Sequence, residues 1–459
     1  MIKHDNATSL LHLAIPLILT GLVQSAVWFF ETLFLARLGT EILAAGALVS
    51  WLFGTVAVIL WGALSSINIL VAHKHGENDQ HAIALVARDG VILAILLVVP
   101  TFILFWFMSP IFLIFGQSES IVQLAQLYLH ALAWGLLANF VMMAFLEVII
   151  GVGRARVILV FSIVTVGLNI LFSYLFIFGK LGFPALGIAG AGWGMTVSYW
   201  VSALVLIIYV TIGKQYRNNF RYLFDLQKPS FLWELLQIGI PMGFMYCVEV
   251  GFFFALTLAM GLLGSRLQAA NQIALQYLGI FGSIMFAIAQ AVTVRMGHLL
   301  GAKEIYYAER TAYLGVGFAT IIAIFIALFY WFLPSFLISI DFNIHDPNNF
   351  AIVREIKQFL AISAIFQIFE AARIAFFGSL RGLKETKFTL LISILSFWFL
   401  ALPLGYFLAM YLELGSIGFW WGMVVGAGFS VILLQWRFKI KMRHYYHVAS
   451  SEAPVCSQL

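Results

Sequence analysis

Runs of twenty or more apolar residues recur along nearly the whole 459-residue chain, and no other feature restricts its fold so far. A run of that length crosses the hydrocarbon core of a bilayer as an α-helix, because in lipid every backbone N–H and C=O must be satisfied within the spanning structure. Hydrophobic residues make up 63% of the sequence and charged residues only 10%, against about 25% charged in a soluble domain. The short alternating segments of an outer-membrane barrel are absent. Hydropathy and turn residues predict twelve spans, near 9–37, 42–72, 90–116, 121–150, 157–179, 187–213, 236–263, 267–297, 311–340, 350–378, 388–411 and 416–437. The expected class is an all-α polytopic membrane protein.

Most of the 25 Lys and Arg lie before the first span, in the even-numbered connections, or after the last span. Arg37, Lys180, Arg266, Arg354 and Lys357 fall on the opposite side, and Arg373 lies inside a span. The positive-inside rule therefore puts both termini in the cytoplasm. The same distribution accounts for the net charge of +5 without a nucleic-acid partner. Cys247, inside a span, and Cys456, in the tail, make no plausible disulfide. The N-terminal "MIKHDNATSLLHLAIPLILTG" lacks a small-residue cleavage site and reads as the start of the first span.

The chain is written twice. Ile15-Pro16 recurs as Ile240-Pro241, Leu38-Gly39 as Leu263-Gly264, and Ala44-Ala45 as Ala269-Ala270, all at one interval of 225 residues. "HKHG" at 73–76 and "HLLG" at 298–301 share that interval, and Trp193-Gly194-Met195 recurs as Trp421-Gly422-Met423. Six spans per copy is an even number, so both copies start on the same side and form parallel repeats, as in transporters that rock two lobes about a central site. The predicted organisation is an N-terminal six-helix lobe over 1–213, a cytoplasmic linker over 214–233, a C-terminal six-helix lobe over 234–440 and a cytoplasmic tail over 441–459.

Against this apolar background a few charges stand out. Glu31 interrupts "SAVWFFETLFLARLG", Glu249 lies about midway along span seven, and Glu370 shares span ten with Arg373. A charge at the bilayer centre costs about 2.5–3.5 kcal/mol on insertion scales, so such residues usually face a bundle interior or a wet cavity. The competing reading is structural: Glu249 held neutral or paired for helix packing, Glu370 neutralised by Arg373 one turn on, and Glu31 snorkelling to the outer surface. Glu147 reads as an interfacial partner of Arg154 or Arg156, and His130 as a hydrogen-bonded bundle histidine. Asn169, Thr196, Gln24 and Gln272 are uncharged polar groups that either join helices or line a site. "HKHGE" is a poor metal site, and no H-E-x-x-H or similar catalytic constellation is present, so an enzyme is not expected.

These residues, in order and correctly spaced, resemble the multidrug and toxic compound extrusion (MATE) family over nearly the whole chain. The resemblance is carried by "IPLILTGLVQSAVWFFETLFLARLGTEILAA", "IGIPMGFMYCVEVGFFFALTLAMGLLGSRLQAANQIAL", "VRMGHLLG" and "QIFEAARIAFFGSLRGLKET". It implies two six-helix lobes in a V, and export of bulky cationic or amphipathic compounds out of the cell against inward Na⁺ or H⁺. It implies ion coupling at Glu31, with Asn169 and Thr196 as flanking polar residues, and at Glu249 and Glu370. Ser173 stands where the DinF-like branch has a second N-lobe aspartate, which points to the NorM-like branch. Glu249, Glu370, Tyr246, Phe252, Gln272 and Arg373 are the expected substrate-binding residues, the rings supplying apolar and cation–π contact. Arg373 either lowers the proton affinity of Glu370 or blocks a cation there. No cofactor is expected beyond the coupling ion, with Na⁺ possible at Glu31 or at Glu249 and Glu370. The expected partners are small cationic drugs and membrane lipids, the expected state a monomer, and the expected location the bacterial inner membrane. A lipid-linked saccharide flippase of the same two-lobe design is an alternative, disfavoured by the acidic character of the intramembrane charges. From another class, a channel or receptor is disfavoured by the duplicated halves.

Overall fold

A computed structural model describes residues 6–213, 220, 228–341, 343–344 and 346–452. Among them eleven helices are long and apolar enough to cross a membrane, and twelve when one bent pair is taken as a single span. The first half contains α1 (Asn6–Ala36), α2 (Thr40–Leu64), α3 (Ser66–Gly76), α4 (Gln80–Trp106), α5 (Ser109–Ile114), α6 (Glu119–Ala133), α7 (Leu136–Gly151), α8 (Ala155–Phe178) and α9 (Ile188–Ile212). The second contains α10 (Leu232–Leu263), α11 (Ser265–Gly301), α12 (Ile305–Phe332), α13 (Pro334–Asp341), α14 (Phe350–Gly382), α15 (Thr386–Ser393), α16 (Leu402–Met410) and α17 (Ser416–Glu452). A π-helical segment, Ile394–Ala401, joins α15 to α16 within one span.

The bent pair is α6 and α7, which meet at 52° and together fill the expected fourth span. At the bend Gly135 N donates to Leu132 O at 2.9 Å rather than to Ala131 O. The carbonyl so released accepts from Thr196 Oγ1 of α9 at 2.7 Å. Gly135 is required here, since a Cβ would meet Thr196 Cα at 2.9 Å.

Helix ends depart from hydropathy where polar residues stay helical. The expected third span, 90–116, is instead α4 from Gln80 to Trp106 followed by the short α5. Asp79 starts α4 ten residues earlier than expected, accepting from Ala82 N, as N-cap residues do. The last helix likewise runs past the expected span through much of the predicted tail, to Glu452. Most of the predicted linker lies outside the described residues. Its end is fixed by α4: Asp89 Oδ2 accepts from the backbone N–H groups of Ser230 and Phe231 at 2.7 and 2.6 Å. Arg88 pairs with Asp89 at 2.9 Å and donates to Lys228 O. A buried carboxylate thus faces the start of α10, where unpaired N–H groups and the helix dipole favour it.

Two compact units emerge, one of Ile15–Gly243 and the other of Phe244–Leu459 with Met1–Ala14. Both divisions fall inside a helix, beside the repeated Pro16 and Pro241. Within each unit the repeated Trp-Gly-Met motif has one packing explanation. A Cβ on Gly194 of α9 would lie 2.5 Å from Ser173 Cα of α8, and one on Gly190 at 2.5 Å from Phe176 O. In the other unit a Cβ on Gly422 of α17 would lie 2.5 Å from Ala401 O, and one on Gly418 at 2.5 Å from Ala409 N. Small residues one turn apart let helix backbones touch, the usual device where no hydrophobic effect drives helices together in lipid. The flanking Met195 and Met423 are buried, and Trp193 and Trp421 lie outside.

Candidate functional site

In the unit Ile15–Gly243, Glu31 of α1 is 5% exposed; one turn on in the same helix, Phe34 packs on Tyr174 and Phe178. Tyr128 Oη of α6 donates to Glu31 Oε1, and the Ser50 hydroxyl of α2 is a second hydrogen-bonding neighbour of the carboxyl group. Glu31 makes no ion pair among those residues either. Such a carboxylate is expensive to hold charged in a place without water. Snorkelling to the outer surface does not describe this residue.

The neighbours expected from sequence behave differently. Thr196 is buried but spends its hydroxyl on the carbonyl freed at the α6–α7 bend. Asn169 and Ser173 are buried in α8, with Ser173 beneath Gly194. Tyr128, which no sequence argument singled out, touches the acid, as does Ser50. The signal for Tyr128 was faint: a phenol in the middle of an apolar helix needs a polar partner when buried. His130 stacks on Trp106 at 4.1 Å and donates from Nε2 to the Trp106 carbonyl at 3.1 Å, as a bundle histidine. Glu147 is deeply buried and accepts from Asn68 Nδ2.

In the other unit, Glu249 of α10 and Glu370 of α14 are brought together by Arg373 of α14, which is 1% exposed. Arg373 donates from Nε to Glu370 Oε2 at 2.7 Å, from Nη2 to Glu370 Oε1, and from Nη1 to Glu249 Oε1 at 2.6 Å. Ser393 Oγ of α15 donates to the same Glu249 oxygen at 3.0 Å. The guanidinium lies 4.6 Å from the Phe377 ring centroid and 4.8 Å from that of Phe397. Phe397 comes from the π segment, whose widened turn carries i→i+5 bonding and recurs at functional sites in other proteins. The neighbouring Trp398 Nε1 donates to Val248 O at 3.0 Å, tying that segment to the Glu249 turn of α10.

The remaining expected residues surround this triad unevenly. Phe252 is buried against Phe397 at 4.8 Å. Tyr246 is buried, accepting from Arg381 Nη2 at 2.7 Å. Gln272 is exposed on α11. One turn before Glu370, Gln367 is fully buried, with neither amide atom partnered among the described residues. Orphaned polar groups of this kind mark places where water enters a structure. No group of three or more metal-ligating side chains occurs among the described residues.

A duplicated bundle of membrane-spanning helices with isolated acids in its interior defines a carrier built from two repeats. The sequence model of the MatE family matches residues 16–175 and 241–407, two segments that each begin at a repeated proline, and the chain belongs to that family. It is 32% identical over 442 residues to a multidrug resistance protein NorM of Burkholderia vietnamiensis, covering 95% of this chain and 94% of that one. It is 30% identical to a probable multidrug resistance protein NorM of Pseudomonas aeruginosa, covering 94% and 89%. Among solved structures, a MATE protein in a bent conformation superposes with a TM-score of 0.89 at 20% identity, over 97% of each chain. The outward-facing conformation of a multidrug resistance MATE transporter gives 0.87 at 19%, over 96% and 97%. The fold is that of this family, and the chain is an integral polytopic membrane protein.

Proposed function

We propose that this chain is a secondary active multidrug exporter that antiports cationic or amphipathic compounds against inward H⁺ or Na⁺ by alternating access. The observation that carries this reading is Glu31, a deeply buried acid held by the Tyr128 and Ser50 hydroxyls and with no ion-pair partner among the described residues. Entry of a proton or cation from outside neutralises this acid. The unit around it repacks, its affinity for substrate falls, and substrate leaves outward. One charge moving down 100 mV supplies about 2.3 kcal/mol, enough for roughly fifty-fold accumulation.

Asn169 and Thr196 belong to the surroundings of the coupling acid, with Thr196 serving the α6–α7 bend. Substrate contact is assigned to the other unit. There the formal charges of Glu249, Glu370 and Arg373 sum to minus one, which favours a cation, while Tyr246, Phe252 and Gln272 supply ring and amide contacts. The two covered rings meet substrate at a different stage of the cycle from the one described. The protein is assigned to the inner (plasma) membrane of a bacterium as a monomer, with both termini cytoplasmic.

The test is transport of a fluorescent cation in proteoliposomes under an imposed pH gradient and, separately, an imposed sodium gradient. Export is expected to follow at least one gradient and to collapse in Glu31→Gln. Ion-driven transport that is unaltered in that variant removes the coupling role from Glu31.

A further inference from the structure

We propose that Arg373 is a tethered cation that determines ion specificity: it occupies the place between Glu249 and Glu370, so that this carboxylate pair does not bind Na⁺. The inference rests on the exporter reading for its meaning, but its geometry stands alone. Three of the four carboxylate oxygens already accept from Arg373, and one of those also accepts from Ser393. A hard cation is held by several oxygens at once, and here those oxygens are committed to guanidinium N–H groups in a fixed fork.

The position of the fork is itself built in. Phe377 lies beside it one helical turn on, and Phe397 is presented by the π segment, so that two aromatic rings flank the planar cation. A guanidinium is weakly hydrated and stacks on rings, whereas Na⁺ would lose its hydration shell against the same surfaces. The pocket around the two acids suits the chain's own cation and not a small free one. Arg373 is covalently bound, so it does not leave into solution as a coupling ion must. The triad therefore keeps its own counter-cation, and ion exchange falls to the other unit.

Removing Arg373 reverses this. Two buried carboxylates then face each other without a counter-charge, and like charges at one site recruit a cation or a proton. The experiment is thermal unfolding of the detergent-solubilised full chain in NaCl against choline chloride at equal ionic strength. Every protein carries Glu31→Gln, so that only the Glu249–Glu370 pair reports. With Arg373 present, the melting temperature is expected to be the same in both salts. With Arg373→Gln it is expected to rise by a few degrees in Na⁺, as ligand linkage requires. The rise is expected to vanish in Arg373→Gln/Glu370→Gln. A sodium-dependent shift with Arg373 in place that Glu370→Gln abolishes overturns the proposal, as does a folded Arg373→Gln protein indifferent to Na⁺. Where Arg373→Gln does not fold, Arg373→Lys takes its place. Its ammonium lacks the planar fork and frees carboxylate oxygens, so a sodium-dependent rise is expected, and a folded Lys variant without one overturns the proposal. Transport plays no part in this readout, so a failure here leaves the exporter reading to its own test.

Discussion

Hydroxyls alone, those of Tyr128 and Ser50, hold Glu31, whereas Glu249 and Glu370 share a single guanidinium. A phenol's bond to a carboxyl group is stronger the more negative charge that group carries, and a neutral amide carries none. Tyr128→Phe should therefore cost about 1–3 kcal/mol in stability, and less in a Glu31→Gln background. A double-mutant cycle read by thermal unfolding checks this, and an equal loss in both backgrounds would assign Tyr128 a packing role only. The acids themselves were legible in the sequence because three carboxylates within apolar runs have few explanations. Their partners were not. Tyr128 lies 97 positions from Glu31, and Ser393 lies 144 from Glu249, distances over which no periodicity argument reaches. Arg373 was visible on the Glu370 face of its helix, but its reach to Glu249 depends on how α10 packs beside α14.

Among the elements, the glycines of the Trp-Gly-Met repeat make the most demanding contacts. Gly194→Val and Gly422→Val would each push side-chain carbons into backbone 2.5 Å away, and such overpacking costs about 1–3 kcal/mol or more. Both variants should lower the yield of folded protein. Gly167→Ala in α8, where nothing lies within 4 Å of the added carbon, should be neutral or gain up to about 1 kcal/mol from helix propensity. Size-exclusion recovery and melting temperature compare the three. The spans were legible from hydropathy, and the repeated motif was visible as letters, but its meaning as a backbone contact was not. The bend between α6 and α7 and the π segment were also hidden. Both leave length and apolarity unchanged and alter only the hydrogen-bond register.

At the scale of the whole molecule, duplication was legible in the sequence because motifs recur at nearly one interval, and the family model likewise matches in two segments, 16–175 and 241–407. Extent was harder to see. The last helix continues past Arg437, where the expected span ends, through Lys441 and Tyr446, residues that hydropathy assigns to a tail. Outside the spans, Glu385 accepts from Arg437 Nη2 at 2.9 Å and pairs with Lys441, while Tyr446 Oη donates to Glu309 at 2.9 Å. Partial burial raises the proton affinity of Glu385, but the hydrogen bonds and charges of Lys441 and Arg437 outweigh it and hold its pKa below 4.5. A depressed carboxylate contributes stability above its unfolded value and loses it as pH falls through the folded one. The stability gap between the natural chain and Glu385→Gln should be constant from pH 6 to 8 and close below about pH 4, as followed by melting temperature. A gap independent of pH would mean that charge has no part in the clamp. These same contacts make the end of α17 a stiff arm rather than a loose tether. From Arg437 to Glu452 it extends by roughly 22 Å at the usual helical rise. A bulky partner fused in helical register straight after Glu452 would inherit the orientation of α17, giving a landmark for image alignment.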